Sequence, residues 1–133
     1  MSIPLALVTF ALITMSLITF EIIYTYAKRG FRYGFSSDRP AIEHSAFELR
    51  IKRTLQNHIE SAAYIVPVLI AAEVSGITFP SLEMAVGLIL AGRAAYALLY
   101  YTGIPFVRIP AFSLASLSTA YVAVLTIMHI LQL

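Results

Sequence analysis

One stretch of the chain places a cation, an amide and a carboxylate at helical spacing. Arg53, Asn57 and Glu60 occupy positions i, i+4 and i+7, and these positions form one stripe on an α-helix. They lead into residues 62–82, where Glu73 is the only charge. Because a charged side chain costs about 2.5–3.5 kcal/mol at the centre of a membrane helix, a membrane protein keeps such groups where they pair or hold something polar. This stripe is therefore the candidate working face.

A second stripe combines an arginine with two tyrosines. Arg93, Tyr96 and Tyr100 lie at i, i+3 and i+7, so they share a helix face. If the two helices run antiparallel, Glu60 and Arg93 both lie about 10 Å inside the same boundary, and we predict a buried ion pair between them. The predicted level pairs are Glu60 with Arg93, Asn57 with Tyr96, and Arg53 with Tyr100. The structural interpretation is that the ion pair neutralises two intramembrane charges and that the amide, like the pair, fixes the register of the helices.

Two arginines at the rim of these stripes have no obvious acidic partner. Arg53 and Arg108 each lie near the boundary where an apolar segment begins. Uncompensated arginines beside tyrosines suit an anionic ligand, although contact with lipid headgroups would explain them equally well. No histidine has metal-ligand spacing with a carboxylate, so no metal site is predicted. The chain has no cysteine, which excludes thiolate nucleophiles and cysteine-metal sites.

The elements that carry these residues belong in a membrane. Of the 133 residues, 59% are hydrophobic and only 12% are charged, whereas soluble domains have about 25% charged residues. A soluble protein of this length could not hide so much apolar surface. The net charge is only +2 and the basic residues are grouped at one side of the predicted membrane, so no nucleic-acid partner is expected.

Turn residues divide the chain into four apolar segments, each near the ~20 residues that a bilayer requires. The segments are about 4–27, 45–74, 81–101 and 108–132, with a basic loop at about 28–44. Short connections make sequential helices antiparallel. The predicted fold is an all-α integral membrane protein, a left-handed antiparallel four-helix transmembrane bundle that forms a single domain over residues 1–133.

The basic residues predict the orientation of this bundle. All nine lie in or toward the ends joined by the first and third connections. They are Lys28, Arg29, Arg32, Arg39, Arg50, Lys52, Arg53, Arg93 and Arg108. The positive-inside rule then places these two loops in the cytoplasm and both termini outside.

Taken together, these motifs resemble the MAPEG family, the membrane-associated proteins in eicosanoid and glutathione metabolism. The second helix carries an R-x3-N-x2-E motif followed by a proline, and the third carries R-x2-Y-x3-Y before the arginine that opens the fourth. The matching positions are Arg53, Asn57, Glu60, Pro67, Arg93, Tyr96, Tyr100 and Arg108. The resemblance covers essentially the whole chain. The chain looks more like a bacterial branch of the family, which implies a bacterial inner-membrane protein.

The resemblance implies a homotrimer that binds glutathione, as co-substrate, in cytoplasm-facing clefts between subunits. Membrane lipids and a lipophilic small molecule are the other implied partners. Arg53 would hold a glutathione carboxylate, Asn57 and Glu60 would contact other polar groups of the peptide, and Arg108 would be the catalytic residue that stabilises the thiolate. The remaining implied glutathione contacts are Arg93, Tyr96, Tyr100 and Arg29.

Four positions depart from the branches of the family with eicosanoid activities. One is Ile109, where the prostaglandin synthase branch has a serine after the arginine. Arg108 lies eight residues after Tyr100, where the leukotriene synthase branch has seven. The chain has Gln56 where the prostaglandin synthase branch has arginine, and Ser61 where the leukotriene branch has tyrosine. These differences leave the family resemblance intact and weaken any specific eicosanoid activity.

The leading hypothesis is a membrane-embedded glutathione-dependent transferase or peroxidase that acts on lipophilic electrophiles or lipid hydroperoxides. The alternative is a non-catalytic lipid-binding or scaffold member of the same family. A small transporter is a weaker third hypothesis, because the other segments hold few polar groups for a solute path and no inverted repeat is visible.

Overall fold

The computed structural model describes all 133 residues and contains only helices. The four helices are α1 (Ile3–Phe35), α2 (Ala46–Ser75), α3 (Leu82–Thr102) and α4 (Arg108–Ile130). By length and composition, each of the four could cross a membrane. The predicted all-α fold with four apolar segments of membrane-spanning length is therefore confirmed.

The helices alternate in direction along the bundle. Met1 lies against Glu83, since its amino group donates to the Glu83 carbonyl at 3.0 Å, so α1 begins where α3 begins. His129 Nε2 lies 3.1 Å from the Ser75 carbonyl oxygen, so α2 and α4 end together. Both termini consequently lie at one end of the bundle and the basic first loop lies at the other.

The first helix runs further than the sequence predicts, and its predicted end near residue 27 is wrong. Helical structure continues to Phe35, interrupted at Gly30 (φ 81°, ψ 167°), a backbone conformation that is essentially restricted to glycine. Beyond this break the chain folds back, so that the ring of Tyr26 occupies the space that a Cβ on Gly34 would need. Arg39 Nη2 then donates to the Gly34 carbonyl at 2.8 Å. The glycines that suggested a loop are used instead to fold a short helical turn back onto α1.

The second helix begins with a side-chain cap and continues well past the length of a membrane span. The Ser45 hydroxyl accepts a hydrogen bond from the Glu48 amide at 3.2 Å, which satisfies one of the free donors of the first turn. The helix ends at Gly76 in the left-handed conformation (φ 65°). At 30 residues it is about 45 Å long, so its charged first turns extend beyond an apolar core of about 30 Å.

The third and fourth helices approach each other most closely. A Cβ on Gly92 would lie 2.8 Å from both the Ala111 carbonyl oxygen and the Ala115 amide nitrogen. Small residues at such crossings let two backbones touch, which is how helices associate where lipid removes the hydrophobic drive. The apolar core lies nearer the end that holds the termini. Its most deeply buried members are Ala6, Ile65, Leu69, Val86, Ile89 and Val122.

Candidate functional site

The polar stripe of α2 faces outward from the subunit. Arg53 and Glu60 are exposed and Asn57 is half-buried, as expected if the stripe were a working face rather than part of the core. Gln56 Nε2 donates to Glu60 Oε1 at 2.9 Å, a bond between neighbours on the same helix. Arg53 has no side-chain hydrogen bond or ion pair within the subunit, so its donors remain available.

The predicted ion pair between Glu60 and Arg93 does not form. Arg93 Nη2 donates instead to Asn57 Oδ1 at 3.0 Å, one helical turn nearer the basic end of α2. Arg50 Nε donates to the Tyr101 carbonyl at 3.2 Å, which shows a displacement in the same direction. The prediction placed Arg53 level with Tyr100 and Glu60 level with Arg93. In the structure, α2 and α3 are shifted along their axes by about 3–4 Å relative to that register.

Arg93 occupies the interior of the subunit rather than its open face. Its side chain is 0% exposed, and its guanidinium carbon lies 4.9 Å from the centre of the Tyr96 ring. No carboxylate lies within ion-pair distance, and Nε and Nη1 have no hydrogen-bond partner. A buried cation is thus held by one amide oxygen and one aromatic face, and it does not line the exposed stripe where the sequence places it among the glutathione contacts.

An arginine and a tyrosine meet where α3 ends and α4 begins. The Arg108 guanidinium lies over the ring of Tyr100, with its carbon 4.5 Å from the ring centre. Tyr100 in turn lies 5.6 Å from Tyr96 between ring centres. Stacking on a ring face leaves the in-plane N–H donors of a guanidinium unused, and Arg108 makes no hydrogen bond or ion pair within the subunit. This arrangement can accept an anion.

The two polar groups lie at the same end of the bundle without touching. Tyr64 Oη and Ser116 Oγ are 3.2 Å apart, which fixes the level of α2 against α4. Counting back at 1.5 Å per residue, Arg53 lies about 17 Å and Arg108 about 12 Å from that contact, both toward the basic end. Within one subunit, no hydrogen bond or ion pair joins the Arg53 stripe to the Arg108 pair.

Arg29 belongs to a separate ion cluster at the start of α2. Its Nη2 lies 3.0 Å from both carboxylate oxygens of Glu48 and donates to the Glu43 carbonyl at 3.1 Å. His44 Nδ1 lies 2.9 Å from Glu48 Oε2. Sequence analysis missed this cluster, although His44 and Glu48 are four residues apart and flank the cap of α2. In the isolated subunit, these contacts rather than a ligand engage Arg29.

One histidine connects α1 to α2 beneath the stripe. His58 is 0% exposed, its Nε2 lies 2.8 Å from Thr14 Oγ1, and its ring stacks on Phe10 with centres 4.4 Å apart. The side chain therefore supports the helix that carries Arg53 and Glu60 from behind. No group of three histidine, aspartate or glutamate side chains lies together in an arrangement that could hold a metal ion.

The comparison with protein families agrees with this geometry. A family model described as the MAPEG family matches residues 2–128. No curated protein and no solved structure matches the chain at a significant level. Because the family model spans nearly the entire chain and the fold is a bundle of four membrane-length helices, the chain belongs to the MAPEG family.

Proposed function

We propose that the protein is a glutathione-dependent membrane enzyme that transfers the thiol to lipophilic electrophiles or reduces lipid hydroperoxides. The observation that carries the proposal is Arg108, a half-buried guanidinium stacked on Tyr100 with its donors free. Such a group favours the charged form of a thiol placed beside it. Family membership supports the choice of glutathione as the thiol.

The charges on the open stripe match the charges of glutathione. The peptide carries two carboxylates and one ammonium, so it needs cationic groups and one acid. Arg53 would bind a carboxylate, Glu60 would bind the ammonium, and Asn57 would hydrogen bond to the peptide between them. Tyr100 would shape the wall next to the sulfur.

The chemical step that Arg108 would assist is thiolate attack. The thiol loses its proton to solvent, and the resulting thiolate forms a bond to an electrophilic carbon as the leaving group departs. With a hydroperoxide, the thiolate forms a bond to the terminal oxygen as the O–O bond breaks, and the alkoxide takes a proton from solvent. A second glutathione then displaces water from the sulfenic acid to give the disulfide. A thiolate is far more nucleophilic than a thiol. Arg108 would therefore raise the rate by increasing the fraction of bound glutathione that is ionised.

A site shared between subunits of a homotrimer would unite the two polar groups. Supporting this proposal, the Arg53 stripe is open on the subunit surface, and no hydrogen bond or ion pair joins it to Arg108 on α4 within one subunit. Large exposed apolar side chains cover the rest of the helices, including Leu98, Phe112 and Leu117. A cleft between such surfaces would admit a lipophilic second substrate directly from the bilayer.

Ultraviolet difference absorbance of bound glutathione tests the proposal. Titrating the detergent-solubilised protein with glutathione is expected to give a saturable thiolate band. Arg108→Ala should lose the band, whereas Arg32→Ala, which removes an exposed arginine at the same end of the bundle, should retain it. A band of equal size in both variants would contradict the role of Arg108.

The alternative function is a non-catalytic lipid-binding or scaffold role. The spacing of eight residues from Tyr100 to Arg108 favours it, because the shifted arginine could leave the thiol unactivated. No thiolate band, together with no competition by glutathione analogues, would establish this alternative over the enzyme.

A further inference from the structure

The contact between Asn57 and Arg93 constrains the direction in which Asn57 can act. A guanidinium has hydrogen-bond donors and no acceptor. The amide atom that faces Arg93 Nη2 at 3.0 Å is accordingly the oxygen Oδ1, and the NH2 group of the same planar amide points the other way. Asn57 is half-buried, and its NH2 group has no hydrogen-bond partner within the subunit and is not among the fully buried atoms, so it is available to a ligand.

Arg93 is itself held in place by the packing of α3. Gly92 touches the backbone of α4 at Ala111 and Ala115, which fixes how α3 is rotated about its axis. The next residue projects about 100° further around the helix, and Arg93 there reaches α2. The Tyr96 ring, 4.9 Å from the guanidinium carbon, covers the other side of the guanidinium. The position of the Asn57 amide is thus determined through three helices.

No other polar group explains why this cation is buried. Arg93 is 0% exposed, has no carboxylate partner, and donates only to Asn57. Desolvating a cation is costly, and an arginine that served only to join two helices would be expected to gain an acid as its partner. Orientation of the amide is a role that one hydrogen bond of fixed polarity can perform.

We propose that Arg93 is a positioning residue, which turns the Asn57 amide so that its NH2 group donates to an acceptor oxygen of the bound peptide. The inference rests on the proposed glutathione site and deepens it. Asn57 then selects a carboxylate or peptide carbonyl and not the ligand ammonium, which is left to Glu60. Arg93 touches no ligand and acts through Asn57 alone.

The side-chain amide signals of Asn57 test the orientation without any ligand. Asn57 is the only asparagine in the chain, so selective ¹⁵N-asparagine labelling gives a single pair of side-chain NH2 resonances. In the wild-type protein the chemical shifts of these resonances should differ from those of a solvent-exposed asparagine, because the amide oxygen accepts a hydrogen bond from a cation. Arg93→Met should move the shifts toward the solvent-exposed values, Arg93→Lys should restore part of the difference, and Arg32→Gln should leave them unchanged. Identical signals in wild type and Arg93→Met would overturn the proposal.

A double-mutant cycle tests the link to the ligand. Losing a hydrogen bond to a charged group weakens affinity about tenfold or more, so Asn57→Ala and Arg93→Met should each raise the glutathione dissociation constant by about that factor. If Arg93 acts through Asn57, the double variant should bind no more weakly than Asn57→Ala. Multiplied effects in the double variant would show that Arg93 acts independently.

A further variant distinguishes the role of the Asn57 amide oxygen from the role of its NH2 group. Asn57→Asp retains an acceptor for Arg93 and removes the NH2 donor, so it should fold normally. It should bind glutathione at least as weakly as Asn57→Ala, because its carboxylate also repels an acceptor oxygen of the ligand. Unchanged affinity would contradict the donor role. Wild-type protein that bound no glutathione would refute the proposed function and the ligand half of this inference, whereas the Asn57 resonances would still decide whether Arg93 orients the amide.

Discussion

Two arginines of the site stack on tyrosines but differ in what else they can do. Arg108 lies half-buried on Tyr100 with free donors, so its charge is available to a ligand. Arg93 is completely buried, and its one hydrogen bond is donated to Asn57. The chemistry of a side chain in this bundle is therefore decided by its depth and its partner rather than by its type. The same holds for Glu60. Arg93 contacts Asn57 and not Glu60, so Glu60 remains exposed.

At the residue scale, Glu60 can be tested against its predicted structural role. Since its carboxylate bonds only to Gln56, Glu60→Gln should change the free energy of unfolding by less than about 0.5 kcal/mol. Its affinity for glutathione should fall about tenfold if it binds the ammonium. Thermal unfolding in detergent and equilibrium binding measure the two effects.

Glu73→Gln serves as the control for Glu60→Gln. Glu73 is exposed, forms no ion pair and lies at the end of the bundle that holds the termini, so its variant should alter neither stability nor binding. A large loss of stability in Glu60→Gln alone would indicate that the carboxylate has a buried partner after all.

At the scale of the helices, the geometry of the site depends on the close approach of α3 and α4. Gly92 allows that approach, and the adjacent Arg93 donates a hydrogen bond to Asn57 of α2. The first helix shows a comparable arrangement. The backbone conformation at Gly30 and the missing side chain at Gly34 allow its last turn to pack against Tyr26. In both places a missing side chain determines where its neighbours lie.

Gly92 and Gly87 provide a matched pair on the same helix. A Cβ at Gly92 would lie 2.8 Å from backbone atoms of α4, whereas one at Gly87 would meet nothing within 4 Å. Gly92→Ala should therefore destabilise the protein by about 1–3 kcal/mol through overpacking. Gly87→Ala should stabilise it by up to about 1 kcal/mol through helix propensity.

Thermal unfolding of both glycine variants in one detergent checks this prediction, and the Asn57 resonances of Gly92→Ala show whether the displacement reaches α2. Equal stability of the two variants would mean that α3 and α4 can separate without cost, and that Gly92 does not set the position of Arg93.

At the scale of the whole molecule, charge is distributed between the two ends of the bundle. The end that holds both termini has the acidic side chains Glu73 and Glu83, and the basic loop between α1 and α2 lies at the opposite end. Four helices long enough to span a membrane separate them. The positive-inside rule predicts that the basic end faces the cytoplasm.

Single cysteines can test this orientation, because the natural chain contains none. Ser37→Cys lies in the basic loop and Thr78→Cys in the connection between α2 and α3, and both positions are exposed. A membrane-impermeant thiol reagent added to intact cells should label Thr78→Cys only. After permeabilisation it should label both. Labelling of Ser37→Cys in intact cells would reverse the orientation.

The sequence by itself determined that the chain is an integral membrane protein with four membrane-length helices, which residues form the polar stripes and which family the chain belongs to. These properties follow from composition, from helical periodicity and from motifs, all of which are local along the chain. Arg53, Asn57 and Glu60 accordingly share one side of α2 as predicted, although Glu60 is exposed and not buried in an ion pair.

Only the tertiary structure decided which side chains meet across helices. No local property of either helix encodes the offset of about 3–4 Å between the predicted and the observed register of α2 against α3. Because of this offset, Arg93 forms its hydrogen bond with Asn57, and Glu60 remains exposed. The fold of the first helix beyond Gly30 likewise depends on Tyr26 packing over Gly34, a contact between residues that the sequence placed in a helix and a loop. Helix identity is local, whereas partner identity depends on packing distances of a few ångströms.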